Sequence, residues 1–250
     1  MGVNTKKKNT VKSTKDALNF HIISLFPESF DSYIDKSIIG RAIENKYIKI
    51  TFHDPRNFVK PTKAQKLKEK PLLKVDDKPY GGGPGMIIKA EPILRSLEKI
   101  FKKKSIDQKK SLIVFLAPDG QQFDTELAKT YSKKYRDIVI VCGRYEGIDS
   151  RVKKVFKMVD VSVGPWVTTG GELPALIMID VMSRQIEGVL GKIESLEESR
   201  ISSGEMYTRP EVLVYKNKKY KVPKVLLSGN HKDIDNWRLN TKAKSPSKDK

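Results

Sequence analysis

Two stretches, "KSLIVFLAPDG" at 110–120 and "RDIVIVCGRYEG" at 136–147, constrain the fold more than any other part of the chain. Each is an unbroken apolar run that closes on a glycine turn. A strand with one face in water alternates apolar and polar residues. Unbroken apolarity instead marks a strand covered on both faces, as in a parallel sheet sandwiched between helices. Three further runs extend the set: "FHIISLF", "YIKITFHD" and "MVDVSVGPW", the last ending at Gly164. Between them lie helical spacings at Phe30, Ile34, Ile38 and Ile39, and at Leu173, Leu176, Ile177 and Ile186 in a helix that begins near Glu172. Strands alternating with helices predict an α/β domain with a mostly parallel sheet.

Such sheets bind ligands beyond the carboxyl ends of their strands. Three glycine-bearing loops fall there: "LAPDGQ" at 116–121, "CGRYEGID" at 142–149 and "VGPWVTTGGE" at 163–172. Ordinary connecting turns would explain the glycines, but not the grouping of Arg144, Glu146 and Asp149 within six residues. A fourth stretch, "PYGGGPGM" at 79–86, places Gly81, Gly82, Gly83 and Gly85 within five positions. No Gly-Lys-Ser/Thr follows, and Met86 stands where a dinucleotide fingerprint ends in glycine, so neither phosphate cradle applies. What remains is a tight turn in a loop, or a place where bare backbone allows close approach.

The 250 residues carry 49 Lys+Arg against 30 Asp+Glu, a formal net charge of +19. That surplus favours a polyanionic partner, most simply nucleic acid, although a lysine-rich proteome would produce the same number. One cysteine, Cys142, excludes a disulfide framework, and three scattered histidines give no zinc spacing. No apolar run approaches the ~18 residues of a membrane span. The start of the chain has no apolar signal region, and Lys6 occupies the Ser/Thr position of a myristoylation signal. A soluble, cytoplasmic setting is expected, with an organelle import tail as the alternative use of the first residues. The expected organisation is a disordered basic extension at 1–18, an α/β domain at 19–190, a polar linker at 191–206, a small C-terminal unit at 207–240 and a disordered tail at 241–250.

"PYGGGPGM", "LAPDGQ", "VCGRYEGID", "VGPWVTTGGELPA", "GVLG", "YTRPEVL" and "VLLSGNH…WR" occur here in one order. In that order they resemble the bacterial-type tRNA (guanine-N1)-methyltransferases of the SPOUT class. The likeness runs from about residue 20 to 240. It implies a trefoil-knotted fold, a homodimer, and transfer of a methyl group from S-adenosylmethionine to N1 of guanosine 37, just 3′ of the tRNA anticodon. It also implies an accompanying magnesium ion, for which the sequence places no ligands. Relative to that family the C-terminal helical unit is shortened.

The resemblance further implies roles for residues. Cofactor contacts fall on Phe115, Leu116, Pro118, Gly143, Glu146, Val163, Gly164, Pro165, Trp166, Val167, Thr168, Gly170, Gly171 and Pro174. Substrate contacts fall on Arg56, Tyr80, Gly81, Gly82, Gly83, Arg144 and Asp149, with a structural Asp54–Arg56 pair as the other reading of Arg56. Guanine N1 carries a proton at neutral pH, so its methylation needs a base, and the charge thrown onto O6 needs a cation or donor. The family's base is an aspartate where this chain has Glu198, with Glu197 as the neighbouring alternative. Arg184 matches the arginine that supports O6; from spacing alone it could equally extend its head to water. The chain departs from the family pattern at Glu198, Arg200, Pro165 and Thr168–Thr169. A non-catalytic RNA-binding protein on this fold, or a relative acting on another RNA base, are the competing expectations.

Overall fold

The apolar runs become the strands of one five-stranded sheet in which every neighbouring pair is parallel. The computed structural model describes residues 17–59, 73–190 and 205–243. The chain divides into two compact units, Met1–Val189 and Leu190–Lys250.

In the first unit the order along the chain is β1 (Leu18–Ile23), α1 (Asp31–Ile34), α2 (Ser37–Glu44) and β2 (Ile48–His53), then the short strands β3 (Asp76–Asp77) and β4 (Ile87–Ile88). There follow α3 (Ala90–Phe101), β5 (Ser111–Gln122), α4 (Thr125–Lys134), β6 (Asp137–Val141), α5 (Arg151–Val155), β7 (Val159–Ser162) and α6 (Glu172–Arg184). The sheet order is β2-β1-β6-β5-β7. Ala17 and Leu18, read from sequence as part of a basic extension, are buried, and Leu18 opens β1. Their apolar side chains belong to the core, whereas the lysines that dominate the stretch lie before them.

The unbroken apolarity of the central strands has the predicted cause. On β6, Ile138 and Ile140 face Phe20, Ile22 and the buried side of α6 (Ala175, Met178, Ile179 and Met182). Val139 and Val141 face the opposite layer, formed by Ile93, Leu97 and Ile100 of α3 with Val152 of α5. Asp124 caps α4 by accepting from the Leu127 N–H at 2.8 Å. Cys142 is buried at the end of β6, and burial pushes its thiol well above the ordinary range, which disfavours the thiolate.

The second unit was expected to be helical. Its described residues instead open with a hairpin, β8 (Val212–Tyr215) and β9 (Lys218–Lys221), before α7 (His231–Ala243). The turn residues Lys216 and Asn217 both have positive φ, the requirement of a two-residue hairpin turn. "YKNK" carries no glycine, which is why the signal was missed.

Beneath the α3 layer lies a polar pair. His21 Nε2 sits 3.1 Å from Asp137 Oδ1, and the His21 and His53 rings are 5.8 Å apart, all three residues being buried. Burial, followed by His21, Lys103 and Lys99, pushes His53 down to about 4. His53 is therefore neutral in the native protein at pH values where the unfolded chain, titrating near 6.5, takes up a proton. Its contribution to stability is full above about pH 6.5 and is lost as pH falls towards 4. Urea midpoints should drop between pH 7 and 5, a range in which carboxylates titrate little, and a His53→Asn variant should show a flatter profile there.

Candidate active site

Three loops meet beyond the carboxyl ends of β5, β6 and β7. The first is an excursion within β5. The ladder to β7 breaks between Leu116 and Gln121, both of which pair with Val161, so 117–120 bulge outward before pairing resumes. Gly120 is required where the bulge returns, because a Cβ there would lie 2.5 Å from the Val161 backbone nitrogen. The second loop leaves β6 at Gly143. The third leaves β7 and lies against the second, Gly171 N–H donating to Gly143 O at 2.9 Å. A Cβ on Gly171 would come within 2.6 Å of Cys142 Cα. Together the loops enclose a cleft of about 420 Å³.

Its walls are apolar at Phe115, Leu116, Val163 and Pro174, and elsewhere largely backbone. Glu172, first residue of α6, is buried behind this lining and holds a residue that belongs to it, Arg144. Glu172 Oε1 accepts from Ser24 Oγ at 2.7 Å, while Oε2 lies 3.0 Å from Arg144 Nε. Arg144 stacks over the Phe26 ring at 4.5 Å and points Nη1 at Thr169 O, 3.4 Å away. Ser24 Oγ in turn accepts the Phe26 N–H at 2.9 Å. One ion pair thus ties the exit of β1, the loop after β6 and the start of α6. The N-terminal end of α6 favours the charge on Glu172.

The "PYGGGPGM" stretch docks on this assembly at its end. Met86 O accepts the Glu146 N–H, and Ile88 N–H donates to Gly147 O, both at 3.0 Å. A Cβ on Gly85 would meet the Glu146 side chain at 2.7 Å. Gly81, Gly82 and Gly83 have no neighbour within 4 Å of such a Cβ; their positive φ values, not close packing against protein, call for glycine.

Comparison with known proteins agrees with this geometry. The family model for tRNA (Guanine-1)-methyltransferase TrmD matches residues 18–250. The chain is 43% identical over 225 residues to the tRNA (guanine-N(1)-)-methyltransferase of Clostridioides difficile, covering 88% of this chain and 90% of that protein. It is 41% identical over 221 residues to the protein of the same name from Campylobacter jejuni subsp. doylei, covering 87% and 88%. Against that of Buchnera aphidicola it is 40% identical over 234 residues, covering 91% of each chain. The chain belongs to the tRNA (guanine-1)-methyltransferase family.

Of the residues that the family resemblance marks for cofactor contact, the cleft gathers all but Gly164 and Pro165. Gly164 lies under the Trp166 indole, where a Cβ would fall 2.1 Å from the ring. It serves by letting Trp166 fold back. Arg144 lines the cleft, but Asp149 and Tyr80 line a separate groove beside α3. Arg151 pairs with Asp149 at 2.5 Å and holds its carboxyl below the usual range. Tyr80 is fully exposed. Arg56 is paired with Asp54 at 3.1 Å and donates to Leu25 O, sharing the Phe26 ring with Arg144 from 5.8 Å. The Asp54–Arg56 pair is present, and a substrate contact by Arg56 stands beside it as a proposal. Arg184 ends α6 and does not line the cleft; a helix of 13 residues puts it about 18 Å from Glu172. Glu198 lies outside the described residues.

Sequence reasoning missed Glu172 as anything but a helix start, and it missed Tyr145 and Lys153. Tyr145 lines the cleft with φ of 58°, a strained value for a non-glycine residue. Lys153 Nζ sits 4.1 Å above the Phe115 ring and 2.7 Å from Asp160. Its signal was a lysine four residues after Asp149, on α5 where it crosses β5. Among the described residues no group of three or more His, Cys, Asp or Glu could hold a metal ion.

The glycines separate fold from binding. Gly171→Ala forces a methyl onto the Cys142 backbone, an overpacking worth about 1–3 kcal/mol, and should lower Tm by roughly 3–10 °C. Gly143→Ala, whose Cβ meets no protein atom within 4 Å, should leave Tm nearly unchanged in the same calorimetric scan.

Proposed function

We propose that the chain transfers the methyl group of S-adenosylmethionine to N1 of guanosine 37 in tRNA. The observation that carries the reading is the convergence of three glycine-bearing loops on one cleft, in a chain of this family. The cleft suits an adenosyl group. Its volume lies within the range of small-molecule sites. Backbone groups of the three loops offer donors and acceptors for base and ribose, the Gly171 N–H excepted because it is bonded to Gly143 O, and Phe115, Leu116 and Val163 cover an apolar thioether. Glu146 at the cleft is a carboxylate placed for an ammonium, while the cleft cations Arg144 and Lys153 are already paired with Glu172 and Asp160. When bound, the cofactor supplies an electrophilic methyl carbon, and no metal is required to activate it. The lack of an N–H at Pro165 removes one backbone donor from the third loop.

The chain's own task is to remove the N1 proton and stabilise the charge that builds on O6. Glu198 takes the first role and Arg184 the second. Arg184 does not line the cleft of its own chain and Glu198 lies outside the described residues; we assign both to a homodimer, as the family likeness implies, in which one subunit completes its partner's site. The contact of Gly171 with Gly143 and Cys142 supports a knotted passage of the third loop past the second, as in the SPOUT class. Among the described residues no helix is long and apolar enough to cross a membrane, which is compatible with an enzyme acting on tRNA in the cytoplasm.

The test is methyl transfer from labelled S-adenosylmethionine to paired tRNA transcripts. One carries guanosine at positions 36 and 37, and its partner has adenosine at 37. Label should enter only the first, and Glu198→Ala should slow it by about 10²–10⁴-fold, the range for loss of a general base, while cofactor affinity holds. Label surviving at the parental rate in Glu198→Ala would move the base to another residue. Absence of label in both transcripts, with tRNA bound and the protein folded, would replace the enzyme by a binding protein.

A further inference from the structure

The cleft occupies the carboxyl ends of the strands, and the opposite rim of the same sheet has its own composition. Lys109 and Lys110 directly precede Ser111, the first residue of β5, and Arg136 directly precedes Asp137, the first of β6. Ser111 and Asp137 are paired across the ladder, so these basic connections arrive side by side, about 5 Å apart at the strand level. Lys102, Lys103 and Lys104 follow the last residue of α3, Phe101, whose ring stacks 6.0 Å from Phe156. Phe156 is followed by Lys157, on the approach to β7. Lys133 and Lys134 close α4 on the way to β6. All of these cations are exposed.

Local carboxylates pair some cations of this unit, Arg95 with Glu91, Lys129 with Glu126, Arg151 with Asp149 and Lys153 with Asp160, whereas among the described residues exposed Lys36, Lys49 and Lys154 form no ion pair, so what sets this rim apart is the clustering of its charge. Among the described residues, Lys102, Lys103, Lys104, Lys109, Lys110 and Lys133 form no ion pair. The acids of these connections are otherwise engaged. Asp107 accepts the Lys109 backbone N–H at 2.9 Å, and Asp137 is buried against His21. Helix dipoles favour a lysine in the last turn of α3 and α4, but Lys104, Lys109 and Lys110 lie outside both helices. Six such cations on adjoining connections make this rim locally positive and attractive to an anion.

We infer that this rim is a second RNA-contact surface, which binds the sugar–phosphate backbone away from the target nucleotide. The charges spread over several connections, not around a pocket, and so match an extended polyanion better than a small anion. A membrane fits worse, because the one large aliphatic residue in the 102–110 connection, Ile106, is buried and leaves nothing to insert. β6, at five residues, separates rim from cleft by only about 16 Å. An RNA with its target base in a cleft can therefore present a different backbone segment to a rim, on the same subunit or another. The choice of RNA as partner rests on the function proposed above.

The experiment compares the parental protein with Lys102→Gln/Lys104→Gln/Lys109→Gln/Lys110→Gln, none of which is in the cleft. Affinity for a tRNA transcript is measured from about 50 to 300 mM salt, together with S-adenosylmethionine affinity and Tm. Each lost phosphate contact lowers the slope of log K against log salt by about 0.7–0.9, so the slope should fall by roughly 2–4. RNA affinity at low salt should fall at least tenfold with cofactor affinity and Tm unchanged. In the parental protein, acetylation of these lysines read by mass spectrometry should drop several-fold when RNA is bound. An unchanged slope and unprotected lysines would overturn the proposal, as would loss of binding to anionic phosphatidylserine vesicles with RNA binding intact. A protein that binds RNA through the rim but transfers no methyl group would keep this inference and overturn the catalytic reading. Methyl transfer with an unaltered salt slope would do the reverse.

Discussion

The Arg144–Glu172 ion pair is the interaction on which the cleft depends. Its carboxylate is almost wholly withdrawn from water, the side chain of Glu172 being 6% exposed. A charge in that position persists only where cations and hydrogen-bond donors surround it. Arg144, Ser24 and the start of α6 provide them, and each comes from a different loop or helix end. Removing one partner of such a pair costs about 3–5 kcal/mol, because the other is left buried and uncompensated. The same contact that holds Glu172 in place therefore sets the position of Arg144, and with it the loop that carries Gly143, Glu146 and Gly147. Phe26 completes the arrangement by receiving the Arg144 guanidinium on its face.

Once this latch is closed, the third loop has little freedom. Gly170 lies so near Arg144 that a Cβ would fall 2.4 Å from Nε, and Gly171 touches the Cys142 backbone. Glycine at 171 brings main chain against main chain, and glycine at 170 leaves room for the Arg144–Glu172 pair. The cleft consequently exposes backbone groups fixed by the sheet beneath, and few mobile side chains. A site built from fixed dipoles can bind a flexible ligand without much reorganisation of its own. Side chains with titratable heads, Arg144, Glu146 and Lys153, stand among those backbone groups.

What the sequence revealed and what it hid divide along physical lines. The central sheet was legible because burial on both faces leaves a periodicity-free apolar run, and no soluble alternative strand gives the same signal. The three loops were legible because glycine marks strand ends and strands dictate where ligands go. Glu172 was not, because a glutamate at a helix start is common on the surface, and only tertiary placement makes it a buried counter-ion. The bulge within β5 was hidden for a related reason: "LAPDGQ" reads as a terminus, whereas the ladder to β7 resumes at Gln121. Tyr145 gave no cue, since a tyrosine with positive φ is imposed by its neighbours and not by its own preference. Arg184 and Glu198 were named through family likeness, and the fold of one chain carries Arg184 to the far end of α6 from the cleft.

The two rims of the parallel sheet follow different rules because of strand direction. At the carboxyl rim, strands deliver glycine loops and helix N-termini, which present N–H groups and local positive potential. At the amino rim they receive helix C-termini, whose carbonyl ends attract cations and so tolerate lysine at little cost in stability. A basic surface is thus easiest to place at the rim opposite the cleft. In this chain the tolerance has been filled beyond what two helix ends require, with Lys104, Lys109 and Lys110 lying off both helices, so the dipole explains where the charge is permitted and leaves its amount to be explained by an anion.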